Sequence, residues 1–245
     1  MTTDTDTLLQ KLVSAIVADD QAAVAKTIAA SPELATVSFR RGATRQDAKQ
    51  HFIAAIGRYV VAGDTALHIA AAAYRGAIAE TLIRAGADVH ARNRHGAMPL
   101  HAVAAGNPGG RHWDPRAQAA TIRVLVEAGA DPNGADKRGV APLHIAVRTR
   151  CAAAVRALLE CGADARRANK SRSTPMTLAR LTTGRGGSGT AAAKEQPIEI
   201  KVKKVRRIAT QHSAARRARQ KPVAAPRKRR YPRPFPRGRC RTGAS

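Results

Sequence analysis

Apolar residues return along the first two-thirds of this chain in short runs at helical spacing, each closed by a polar turn. In "TLLQKLVSAIVAD", Leu8, Leu9, Leu12, Val13, Ile16 and Val17 form one stripe. Asp19 and Asp20 lead into "QAAVAKTIAAS", which halts at Ser31-Pro32. The pattern predicts a helix pair over residues 1–35 with a polar outer face, the form that a terminal capping unit takes. Further on, "ALHIAAAAYRG" predicts a short inner helix. "AIAETLIRAG" predicts a second, with Ile78, Leu82 and Ile83 on its apolar side. Gly86 suits the left-handed position that ends it. Neither helix of this second pair is long enough to hold in water alone, so such pairs must bury their apolar faces against other pairs.

The second pair comes back. Blocks "GDTALHIAAAA", "GAMPLHAVAAG" and "GVAPLHIAVRT" begin at Gly63, Gly96 and Gly139, and a weaker "RSTPMTLARL" begins at Arg172. His68 to His101 is 33 residues, His101 to His144 is 43, and His144 to Thr177 is again 33. The long interval holds ten extra residues, "NPGGRHWDPR" at 107–116. "GAD" at 86–88, 129–131 and 162–164 keeps the same register. A 33-residue period built on T-P-L-H-x-A is the ankyrin signature, and residues 63–182 resemble the ankyrin-repeat family, with a degenerate leading unit at 5–35. The resemblance implies an all-α solenoid of helix-turn-helix units with β-turn fingers. Its units run 63–95, 96–138 with 107–116 inserted, 139–171, and a partial 172–182. Residues 36–62 form an insertion behind the cap, and 183–245 a disordered basic tail.

Thr65 stands where a hydroxyl can cap the inner helix, and the later copies carry proline at the next position, which suits a helix start. Met98 and Ala141 replace that threonine, which predicts a loss of about 1 kcal/mol per missing cap. The histidines are expected to be structural. Adjacent helices in a stack lie about 8–10 Å apart, whereas one Zn²⁺ needs every nitrogen within about 2.1 Å. The resemblance implies that each ring bonds to backbone in the turn entering the inner helix.

Two insertions interrupt the period. Residues 36–62 contain Phe39, Phe52 and Tyr59, which are expected to cover the apolar end of the first full repeat. Aromatics are 3% of the chain, so the core must be built from small side chains packed closely. The 107–116 loop holds His112, Asp114 and the only tryptophan, Trp113. Trp113 reads either as a ring folded onto the helices or as a partner-binding anchor.

Formal net charge is +26. Residues 1–182 hold 24 Lys/Arg against 15 Asp/Glu, and residues 183–245 hold 19 against 2. The body is therefore moderately basic and the tail strongly so. Cys151, Cys161 and Cys240 show no framework spacing, which favours free thiols in a reducing compartment. The acidic start "MTTDTDTLLQ" does not read as a signal peptide, and no apolar run approaches a membrane span. A soluble, cytoplasmic protein is expected.

Family resemblance implies partner binding through finger tips and the inner-helix face. The tips "HARNRHG", "NGADKRG" and "RRANKSRS" offer Arg92, Arg94, His95, Lys137, Arg138, Arg166, Arg167, Lys170 and Arg172. With Trp113 these are the candidate contacts for an acidic partner surface. The alternative is nucleic-acid binding by the tail through Lys203, Lys204, Arg206, Arg207, Arg227, Lys228, Arg229 and Arg230, with Tyr231 and Phe235 stacking on bases. Two further readings of the tail are a basic address signal and an out-of-frame extension of a G+C-rich gene. No nucleophile–base pair or metal-ligand cluster appears, and "GRGGSG" lacks the flanking strand, helix and lysine of a phosphate loop. No enzyme, cofactor, small-molecule substrate or membrane partner is expected.

Overall fold

A computed structural model describes residues 2–108, 110 and 113–183. Its helices are α1 Thr2–Ala18, α2 Gln21–Ala30, α3 Ala66–Ala72, α4 Gly76–Arg84, α5 Pro99–Ala104, α6 Pro115–Glu127, α7 Pro142–Arg148, α8 Ala152–Glu160 and α9 Pro175–Thr183. They stack as two layers. Helices α1, α3, α5, α7 and α9 adjoin in that order in one layer, and α2, α4, α6 and α8 in the other. The described chain is an open helical stack, with one element that the helical pattern did not predict. Strands β1 Phe52–Ile53 and β2 Arg58–Tyr59 pair antiparallel in the first insertion.

The core follows the apolar spacing. Leu9, Leu12, Val13 and Ile16 of α1 are buried, as are Ile78, Ala79 and Leu82 of α4. Helix α3 is buried along its whole length, because α1 and α5 close on it from both sides. Ala66, Ala70, Ala71 and Ala72 permit that approach, where bulkier side chains would hold the helices apart.

"GAD" also has a local explanation. Gly86, Gly129 and Gly162 carry φ of 96°, 101° and 90°. The next N–H, on Ala87, Ala130 or Ala163, donates back to Leu82, Leu125 or Leu158 at 2.9 Å, closing the outer helix. The aspartate then accepts the N–H two residues on: Asp88 from His90, Asp131 from Asn133, Asp164 from Arg166, at 2.8, 2.9 and 2.8 Å. One motif stops the helix and starts the finger.

Candidate functional site

Each finger is tied at its root by one short polar side chain. Asn93 Oδ1 accepts from His95 and Ala97 N–H, Asp136 Oδ1 from Arg138 and Val140, and Asn169 Oδ1 from Ser171 and Ser173, all within 2.8–3.1 Å. The fingers then join edge to edge. Arg94 N–H donates to Ala62 O at 2.8 Å, Lys137 N–H to His95 O at 3.0 Å, and Lys170 N–H to Arg138 O at 3.0 Å. This ladder sets Arg94, Lys137 and Lys170 at equivalent tips, all exposed.

The histidines lock the same fingers from below. Nδ1 of His68, His101 and His144 accepts the N–H of Thr65, Met98 and Ala141, each at 3.1 Å. Because Nδ1 accepts, the neutral ring carries its proton on Nε2. That N–H donates into the next unit, to Ala97 O at 3.1 Å, Val140 O at 3.0 Å and Ser173 O at 3.1 Å. The local bond expected from the sequence is present, and a second one crosses the repeat boundary. Burial lowers the pKa of His68 and His101 below the usual imidazole value, with Asp64 opposing it at His68 and the Val140 carbonyl at His101.

The predicted cap deficit needs correction. The ring-to-backbone bond serves the helix start at Met98 and Ala141 as it does at Thr65, and the Thr65 hydroxyl lies 3.0 Å from the same ring nitrogen. The fourth copy makes the expected hydroxyl cap, Thr174 Oγ1 accepting from Thr177 N–H at 3.1 Å.

The candidate contacts fall into several groups. Arg92 donates from Nη1 to Gly96 O at 2.9 Å and to Ala135 O at 2.8 Å, bridging two fingers. Arg94 donates from Nη2 to Ala43 O at 2.6 Å, and its Nε lies 3.4 Å from His95 Nε2. These two arginines therefore help to build the edge as well as charging it. Lys137, Arg138 and Lys170 project from the ladder, with Arg138 Nε 3.7 Å from Asp136 Oδ2. Arg166 and Arg167 lie earlier, in the turn after α8, and Arg172 occupies the glycine position of the last finger. Trp113 is half-buried, its indole N–H donating to Gln118 Oε1 at 2.9 Å while Gln118 donates to Val103 O at 2.8 Å. His112 and the candidate nucleic-acid residues Lys203, Lys204, Arg206, Arg207, Arg227, Lys228, Arg229 and Arg230 lie outside the described residues.

The insertion departs from expectation. Phe39 packs against the core, but Phe52 and Tyr59 are 42% and 48% exposed. In an antiparallel pair, side chains alternate between faces. Phe52 opposite Tyr59 points outward, while Ile53 packs on the core and Arg58 turns in to place Nη2 4.0 Å from Asp64 Oδ2. Asp64 is fully buried and accepts from Val61 N–H and Asn93 Nδ2, each at 2.8 Å. Sequence reasoning passed over this Arg58–Asp64–Asn93 tie. Its signal was Asp64, the only acid between the glycine and the helix start in any copy.

Among the described residues, no helix is long and apolar enough to cross a membrane, and no group of three or more His, Cys, Asp or Glu could hold a metal ion. The fold and its edge define a solenoid of stacked helix pairs with a row of projecting fingers. Residues 67–169 match the family model of ankyrin repeats in three copies. That segment is an array of ankyrin repeats, a module that generally mediates protein–protein interaction. Compared with curated proteins, the chain matches none.

Proposed function

We propose that this chain is a non-catalytic scaffold that grips an acidic surface of a partner protein with its finger edge. The observation that carries the reading is the ladder, which sets exposed cations at equivalent positions on successive fingers. Aligned charges of one sign add into a local field that speeds encounter with an opposite one. The contact set comprises Arg92, Arg94, His95, Trp113, Lys137, Arg138, Arg166, Arg167, Lys170 and Arg172. Residues 1–35 act as the leading cap, 63–182 as the repeat body and 183–245 as a basic tail. Free thiols at Cys151 and Cys161, both held above the ordinary thiol pKa by burial, suit a cytoplasmic setting.

The test compares proteins captured by the full chain, by a chain ending at Thr183, and by a Lys137→Glu/Arg138→Glu/Lys170→Glu variant. These three positions are chosen because Arg92 and Arg94 also hold the fingers together. The partner should survive truncation and disappear on charge reversal. Loss on truncation, with nucleic acid in the full-length sample, would favour the tail reading instead.

A further inference from the structure

The exposed large apolar residues of the described chain are Phe52, Tyr59 and Leu181. Two of the three are brought together. The rings of Phe52 and Tyr59 lie 4.8 Å apart between centroids at 47°, on the outer face of the hairpin. The core does not use them, since Ile53 and Arg58 supply the inward contacts. Leaving such a pair in water forgoes the stabilisation that burial would give.

The pair is continuous with the finger edge. Arg94 reaches Ala62 O through its backbone and Ala43 O through its side chain. Ala43 N–H donates to Val60 O, and Val60 N–H to His51 O, each at 2.8 Å. One residue further along each strand stand Tyr59 and Phe52. The row of cations at Lys170, Lys137 and Arg94 therefore runs into an aromatic step. Arg40, Arg41, Arg45 and Lys49 lie exposed in the same insertion, with Asp47 the one exposed acid among them. The hairpin is held from beneath by Arg58 and Asp64 and turned by Gly57 at φ 59°, so the rings are presented on a fixed frame.

We propose that the Phe52–Tyr59 pair is the anchor of the partner-binding surface. It takes an apolar side chain at one end of an extended acidic segment, whose carboxylates lie along the finger cations. This narrows the reading under Proposed function and rests on it. Aromatic rings set among arginines are the usual composition of an interface hot spot, and the surrounding positive charge selects an acidic occupant.

Labelled dodecapeptides of Glu and Ser, carrying Leu-Trp at the first end, at the second end or at neither, are titrated against the full chain by fluorescence anisotropy. One anchored peptide should bind about tenfold or more tighter than the anchorless one. Phe52→Ala/Tyr59→Ala should shrink that advantage below about twofold and leave the anchorless peptide unchanged. Tyr59→Thr, which keeps a good strand former, serves if the double variant unfolds. An unaltered advantage in the ring variants overturns the proposal. A dT12 oligonucleotide that loses affinity with the rings while the peptides do not also overturns it, in favour of a base-stacking surface. So does a wild-type dimer in sedimentation that the ring variant dissolves, because the rings then cover a second copy. Indifference of every peptide to Lys137→Glu/Arg138→Glu/Lys170→Glu instead defeats the finger-edge reading itself.

Discussion

The first three repeats and the fourth copy solve the same helix start differently. His68, His101 and His144 each hold a local N–H with Nδ1 and reach into the following unit with Nε2. Thr177 keeps only the local half. Its hydroxyl accepts from Thr174 N–H and donates back to Thr174 O, both at 2.9 Å. The glycine column changes at the same boundary. A Cβ on Gly63, Gly96 or Gly139 would meet the next finger's backbone at 2.8, 2.9 and 2.9 Å, whereas Arg172 fills the equivalent place at φ 59°. The lesson is that these histidines and glycines serve the neighbour that follows as well as their own turn. Among the described residues no finger stacks beyond Arg172, and there both have been replaced.

The contrast can be broken most forcefully at the imidazole. His101→Ala leaves the buried Met98 N–H unpaired, takes from the Val140 carbonyl one of its two donors (Asp136 N–H remains, at 2.9 Å) and opens a cavity, for about 3 kcal/mol of lost stability. Thr177→Ala, at an exposed site, should cost about 1 kcal/mol or less. Urea denaturation measures both, and equal costs would contradict the neighbour-directed role. Next comes the glycine. Gly139→Ala combines a left-handed φ of 77° with a clash against Lys170 N, and should cost about 1–3 kcal/mol in the same assay.

Acid sharpens the comparison further. His68 and His101 are held below the ordinary imidazole pKa, so as pH falls the unfolded chain takes up protons first. Their stabilising share is complete above about pH 6.5 and is lost as pH drops from there through the depressed folded values. Melting temperature should therefore fall between pH 7.5 and pH 5, and His101→Ala should weaken that dependence. The smallest effect has the opposite sign. Arg172→Gly removes a side chain from a left-handed position and should gain up to about 1 kcal/mol, read as a higher urea midpoint.

Most of the stack could be read from the chain, because its register is written twice, in the histidine blocks and in "GAD". The stripe on α1, the helix stop at Gly86 and the local bond of each ring follow from spacing and φ preference. What escaped were relations that only stacking creates. The crossing bond of each Nε2 depends on where the next finger's carbonyl lies. Arg92 and Arg94 looked like free cations, yet each reaches a neighbouring loop only after the fingers align. Phe52 and Tyr59 looked like cover for the core because they are aromatic. Their outward direction is set by a two-residue strand register that no apolar period announces.

The central claim is that each imidazole is a neutral strut between units. Long-range ¹H–¹⁵N correlation spectra of the imidazole nitrogens test it directly. At pH 7.5, His68, His101 and His144 should all show the tautomer protonated at Nε2, with Nδ1 bare. Protonation at Nδ1 in these rings, or rapid exchange between tautomers as in a free side chain, would contradict the account.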